Sequence, residues 1–153
     1  MYLDHPRYGN KPIVTNISMT VEAIERAHWH YSNLKYFPNT VILADIEKQN
    51  YAIYPRTLYV DIEVQCGACS RAFIFFAQEQ QYWFEVLGFW VDSHCTHCFG
   101  CRKHARYILT LRKQYDMLAN AANKTVSEKT EHKALAKTLY CLGIIKNINK
   151  VNG

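Results

Sequence analysis

The strongest constraint on this chain is the spacing of its cysteines. Cys66-Gly67-Ala68-Cys69 is a Cys-x-x-Cys turn, and after 28 intervening residues Cys98-Phe99-Gly100-Cys101 repeats it. Such a turn points two sulfurs at one position, and two turns complete a tetrahedral shell. This is the preferred arrangement for zinc in structural sites. The second group is a ladder, Cys95-Thr96-His97-Cys98-Phe99-Gly100-Cys101, in which three cysteines compete for two places. Local chemistry favours Cys98 and Cys101. Gly67 and Gly100 stand between the sulfurs of each turn, where a residue without Cβ bends easily. Arg102-Lys103-His104-Ala105-Arg106 starts a helix just after Cys101, so that sulfur lies at the positive end of a helix dipole. The alternative pair, Cys95 and Cys98, stays open on spacing alone.

Redox context decides between metal and disulfide. The N-terminal stretch Met1-Tyr2-Leu3-Asp4-His5-Pro6-Arg7 lacks the basic start and apolar run of a secretory signal. No stretch approaches the roughly 18 consecutive apolar residues of a membrane span. The expected compartment is the cytoplasm, where thiols stay reduced and paired Cys-x-x-Cys spacings read as metal ligands. With an apolar fraction of 49% and aromatics at 14%, the 153 residues suffice for a folded chain whose thin core is built largely from rings.

Three regions follow from the pattern. Residues 1–55 read as an N-terminal arm, extended through Pro6, Gly9 and Pro12. It carries one helix from Thr20 to about Tyr31, with Val21, Ile24, His28 and Tyr31 on one face and Ser18 or Thr20 as N-cap. A short helical turn is expected over 44–49.

Residues 56–106 hold the cysteines. Strict alternation over 58–65 predicts a half-buried strand, with Val60, Ile62 and Val64 on one side and Tyr59, Asp61 and Glu63 on the other. A second strand over 71–77 places Cys66–Cys69 in a hairpin turn. A short amphipathic helix over 78–87 closes at Gly88, and a third strand is expected at 89–91. Residues 107–150 predict a helical hairpin, with Ile108, Leu111, Tyr115 and Leu118 facing Leu135, Leu139, Leu142 and Ile145. Thr125-x-x-Glu128 is the capping box of its second helix.

Within residues 58–106 the motifs resemble the zinc-ribbon domain family of small bacterial proteins. The resemblance is carried by Tyr59-Val60-Asp61-Ile62 before Cys66-x-x-Cys69, by Phe75-Phe76-Ala77-Gln78-Glu79-Gln80 and Tyr82-Trp83, and by Gly88-Phe89 and Cys98-x-x-Cys101-Arg102-Lys103. It covers about a third of the chain and implies a four-cysteine zinc ribbon with Cys66, Cys69, Cys98 and Cys101 as ligands of one structural Zn2+. It leaves Cys95 outside the ligand set and implies no activity.

The expected fold class is α+β: a zinc ribbon of short β-hairpins and a short helix, with an N-terminal helical arm and a C-terminal helical hairpin. Charge is unevenly divided. Residues 1–100 hold 7 Lys/Arg against 10 Asp/Glu, a net −3, and residues 101–153 hold 11 against 3, a net +8. The basic third, including Arg102, Lys103, Arg106, Arg112 and Lys113, suggests a polyanionic partner, either a nucleic acid or a protein surface. It reads equally well as the solvated face opposite the leucine seam.

A closed shell of four thiolates has no place for substrate. The chain also lacks a phosphate-binding glycine loop, a His-Glu-x-x-His, a nucleophile elbow and the His-x-Glu…Pro-Cys-x-x-Cys pattern. The expected function is therefore that of a non-enzymatic zinc-binding structural or adaptor module without an evident small-molecule substrate or membrane partner. Two alternatives accompany it: a nucleic-acid- or ribosome-binding protein, and a thiol/zinc redox switch using Cys95. His94, His97 and His104 near the cysteines read as surface or supporting residues, and Cys141 as a packing residue.

Overall fold

A computed structural model describes residues 1–152, and these form two compact units that divide after Phe99. In the first unit, Thr20 caps α1 (Val21–Ala27) by accepting the Ala23 N–H at 3.2 Å. This helix is shorter than the periodicity suggests. The chain turns extended at His28, and Tyr31 continues in a 3-10 turn. Short strands β1 (Lys35–Tyr36) and β2 (Ile42–Leu43) follow, then a 3-10 turn at Ile46–Lys48 within the expected 44–49.

The predicted strand over 58–65 is real but divided. β3 (Leu58–Tyr59) pairs antiparallel with β2, while β4 (Ile62–Gln65) sits between β1 and β5 (Ala72–Phe75) in an antiparallel sheet of order β1-β4-β5. The expected half-burial is also corrected. Tyr59 and Asp61, predicted to face solvent, are 0% and 1% exposed. Other segments cover the face that alternation assigned to water: Tyr59 packs with Ala77, Phe84 and Val91, and the Ile13 N–H of the N-terminal arm donates to Asp61 Oδ2 at 2.8 Å. An acid tolerates such burial only when hydrogen-bonded, and Asp61 Oδ1 also accepts the Ala77 N–H at 2.7 Å.

That last bond starts α2 (Ala77–Gln81), which continues as a π-helical turn over Tyr82–Val86 and ends where Gly88 takes φ +69°. Gln80 is wholly buried, and its amide donates to the Val60 and Phe75 carbonyls at 2.6 and 3.0 Å, tying the helix to β5 and to the link between β3 and β4. The core gathers around Tyr59, Phe73, Phe75, Phe76 and Phe84, as the aromatic richness required. The strand expected at 89–91 reduces to one parallel bridge between Trp90 and Asn50, leaving Phe89 and Trp90 exposed.

The second unit is a pair of helices, α3 (Phe99–Ala119) and α4 (Val126–Cys141). In α3 the half-buried positions include Ile108, Leu111, Tyr115 and Leu118, the predicted seam. In α4 the buried residues are Ala136 and Leu139, and the Tyr115 ring stacks on His132 at 4.6 Å. The capping box forms as expected: Glu128 N–H donates to Thr125 Oγ1, and Thr125 N–H to Glu128 Oε2. Leu142 and Ile145 lie beyond the helix, because Gly143 at φ +76° ends it. A last turn, α5 (Asn149–Asn152), follows. Among the described residues no helix is long and apolar enough to cross a membrane.

Candidate metal centre

The first sulfur pair is held by the β4–β5 hairpin. Cys66 closes the ladder, donating its N–H to the Arg71 carbonyl at 2.9 Å and accepting the Ser70 N–H at 2.9 Å on its own carbonyl. The expectation that Gly67 and Gly100 absorb the bends is corrected, because neither takes a positive φ. Ser70 does, at φ 61°, and it is the one non-glycine residue there among those described. A Cβ on Gly67 would meet only ordinary contacts at 3.5 Å, and one on Gly100 open space.

The second pair comes from a helix start. Cys98 immediately precedes α3 and Cys101 lies in its first turn. The Gly67 N–H donates to the Thr96 carbonyl at 2.8 Å, which lays the 95–98 segment against the hairpin turn.

The ligand atoms of Cys66, Cys69, Cys98 and Cys101 all lie within 4.8 Å of one another, and Cys69 Sγ is 4.0 Å from Cys98 Sγ. A tetrahedron with metal–sulfur bonds of about 2.3 Å has edges of about 3.8 Å. The four thiols therefore fit one tetrahedral ion after shifts of less than about 1 Å. Among the described residues no other set of three or more His, Cys, Asp or Glu side chains converges this closely. Cys66 and Cys98 are buried, Cys101 is half-buried and Cys69 exposed.

Burial pushes the Cys66 thiol up, but N–H groups directed at its sulfur overcome it. The main-chain N–H of Cys69, Cys98 and Ala68 lead these, and together they bring the thiol down to about 6. Two of the bonds are the Cys98 N–H at 3.3 Å and the Ala68 N–H at 3.4 Å. Sulfur that accepts backbone N–H bonds is poised to be thiolate, the form that binds metal.

Cys95 lies outside the group. It is 4% exposed, and its thiol donates to the His97 carbonyl at 3.3 Å. His97 Nδ1 engages Thr96 Oγ1 at 2.8 Å, and His104 is exposed on α3, 6.5 Å from the Tyr107 ring. Of the predicted contact residues, Lys103, Arg106, Arg112 and Lys113 are exposed on α3, whereas Arg102 is half-buried with its Nε and Nη2 atoms shielded from solvent.

The structure adds a cluster that sequence reasoning missed. His28 Nε2 lies 3.1 Å from Asp92 Oδ1, and the Trp29 indole N–H donates to the same oxygen at 3.2 Å. The His30 ring stacks on His28 and meets His94 edge-on at 4.2 Å. Behind them Arg56, 2% exposed, donates to the Val91 carbonyl at 2.7 Å and lies over the Phe84 ring at 4.7 Å.

Burial first, and then the Arg56 charge, hold the His28 imidazole down at about 4. His28 Nδ1 accepts the His30 N–H, so the bond pattern assigns the ring proton to Nε2. The cluster ties residues 92–94, just ahead of Cys98, to residues 28–30. Only the repeated His-x-His and Asp-x-His spacings hint at it in sequence, because the two segments are more than 60 positions apart.

Residues 60–108, about a third of the chain, match the family model described as a probable treble clef domain. This agrees with the geometry, in which a hairpin turn supplies one sulfur pair and a helix start the other. It is also consistent with the zinc-ribbon resemblance seen in the sequence. No curated protein and no solved structure matches the chain.

Proposed function

We infer that this chain is a non-enzymatic module in which one structural Zn2+ is held by Cys66, Cys69, Cys98 and Cys101, and that its C-terminal unit binds nucleic acid. The donor set supports zinc, since four thiolates in a tetrahedron select zinc or iron among common metals. When bound, the ion supplies folding free energy, because the ligands converge only in the folded chain. It has no open coordination position for catalysis.

Charge separation is the observation that carries the nucleic-acid reading. Arg, Lys, Asp and Glu sum to +8 from residue 101 onward and to −3 before it. Lys103, Arg106, Arg112 and Lys113 on α3, and Lys129, Lys133 and Lys137 on α4, are all exposed. A dense field of exposed cations is what phosphate backbones recognise, with affinity that falls as salt rises.

The redox reading has less support. Cys95 is buried and its thiol is engaged by the His97 carbonyl, whereas oxidation-sensing thiols are accessible.

Metal analysis of protein purified without chelators, paired with an absorption spectrum, tests the first half. One zinc per chain with no visible thiolate-to-iron band is expected; absence of metal refutes it. Fluorescence anisotropy with labelled single-stranded and duplex oligonucleotides tests the second. Binding that weakens steeply with salt is expected, and no binding at about 50 mM salt ends the nucleic-acid reading.

A further inference from the structure

The C-terminal end of the second unit folds back on itself. Where α4 ends, the Ile144 N–H donates to the Leu139 carbonyl at 2.9 Å and the Gly143 N–H to the Tyr140 carbonyl at 3.0 Å. This is the paired bonding of a Schellman motif, and it needs the left-handed residue that Gly143 provides at φ +76°. The chain reverses there. Asn147 then starts α5, its side chain accepting the Asn149 N–H and its carbonyl the Lys150 N–H.

The reversal brings Lys146 and Lys150 to the same cavity as Arg112 of α3. The cavity measures about 460 Å³, with Tyr115, Leu139 and Ile145 among its apolar lining. Its volume falls in the range of about 300–1,000 Å³ typical of ligand sites.

The three cations line it with a single carboxylate, Asp116. Among the described residues none of the three pairs with an acidic side chain within 4.0 Å. A concave site with surplus positive charge and an apolar wall suits one phosphate with its attached sugar, since guanidinium and ammonium donors satisfy phosphate oxygens. Lys146 and Lys150 lie more than 30 residues from Arg112, so a linear charge run does not account for their meeting.

We propose that Arg112, Lys146 and Lys150 seat a phosphodiester group of a bound nucleic acid, making this cavity an anchoring point within the broader basic surface. The assignment rests on the nucleic-acid reading above.

The experiment uses the zinc-loaded chain of 153 residues and a labelled oligonucleotide, with affinity measured by anisotropy across a salt series. Lys146→Gln/Lys150→Gln is expected to weaken binding at least about tenfold at 0.1 M salt and to lower the slope of log K against log salt by about 2. Arg112→Gln, which alters the α3 contribution to the lining, is expected to lower it by about 1. Lys133→Gln/Lys137→Gln removes the same charge from the α4 part of the basic surface, outside this cavity, and is expected to weaken binding at least threefold less than Lys146→Gln/Lys150→Gln does. Helicity by circular dichroism identifies any variant in which the reversal has unfolded, and Arg112→Gln then reads the site independently.

Equal losses in the two double variants would overturn the site in favour of a diffuse field. An unchanged affinity in both Lys146→Gln/Lys150→Gln and Arg112→Gln would overturn it too, while leaving nucleic-acid binding itself intact. If the unaltered chain binds no oligonucleotide at low salt, the underlying reading has failed instead.

Discussion

Asp61→Ala tests whether the cysteine-bearing hairpin is organised by a buried acid. Asp61 is 1% exposed, and its two oxygens accept the Ala77 N–H at 2.7 Å and the Ile13 N–H at 2.8 Å. Removing the carboxylate leaves the buried Ala77 N–H and the half-buried Ile13 N–H without their acceptor. An orphaned buried donor costs about 1–3 kcal/mol, so the pair should cost about 4 kcal/mol. Burial raises the carboxyl above its ordinary range, with the two N–H bonds opposing the rise. The stabilisation therefore comes from acceptors rather than from charge. Asp61→Asn keeps one acceptor oxygen and should lose only about 2 kcal/mol.

Urea unfolding of zinc-loaded protein reads this through Trp29, Trp83 and Trp90. These are all the tryptophans of the chain, and all lie in the first unit. At a typical slope of about 2 kcal/mol/M, Asp61→Ala should move the midpoint down by about 2 M and Asp61→Asn by about 1 M. A loss below about 1 kcal/mol for alanine, or equal losses for both variants, would refute the reasoning.

Three further predictions concern other parts of the chain. Cys98→Ser is expected to abolish stoichiometric metal retention, whereas Cys95→Ser should leave metal content unchanged by elemental analysis. His28, held at about 4 when folded and titrating near 6.5 when unfolded, binds its proton more readily in the unfolded chain. Its contribution is thus complete above about pH 6.5 and lost as pH falls toward 4. Between pH 6.5 and 5 the native protein should lose about 1–2 kcal/mol more stability than His28→Gln, compared by denaturant unfolding. Gly143→Ala places a Cβ at φ +76°; it should lower the stability of the C-terminal unit by about 1–2 kcal/mol, measured by circular dichroism melting.

Much of the local structure was legible in the sequence. The Thr125–Glu128 capping box, the Thr20 cap and the hairpin around Cys66 and Cys69 depend on residues within a few positions of one another, and each appears where its residues predict. The seam of Ile108, Leu111, Tyr115 and Leu118 follows from helical spacing alone. Alternation over 58–65 located a strand but misjudged its surroundings. A period of two describes a face only when the other face meets water, and here the second face is closed by the N-terminal arm at Asp61 and by Ala77, Phe84 and Val91 at Tyr59. The turn glycines misled for a related reason. The left-handed position fell on Ser70, set by hairpin register rather than by residue type.

The sequence by itself determined that two thiol pairs would be offered to one ion and that positive charge would collect at the C-terminal end, because spacing and composition act locally. The tertiary structure gathers the four sulfurs that the sequence already favoured, with Cys95 outside, and it alone decided two other features: the meeting of Arg56, His28 and Asp92, and the convergence of Lys146 and Lys150 with Arg112. Each depends on backbone bonds between segments far apart in the chain, and no local preference specifies which segments will meet.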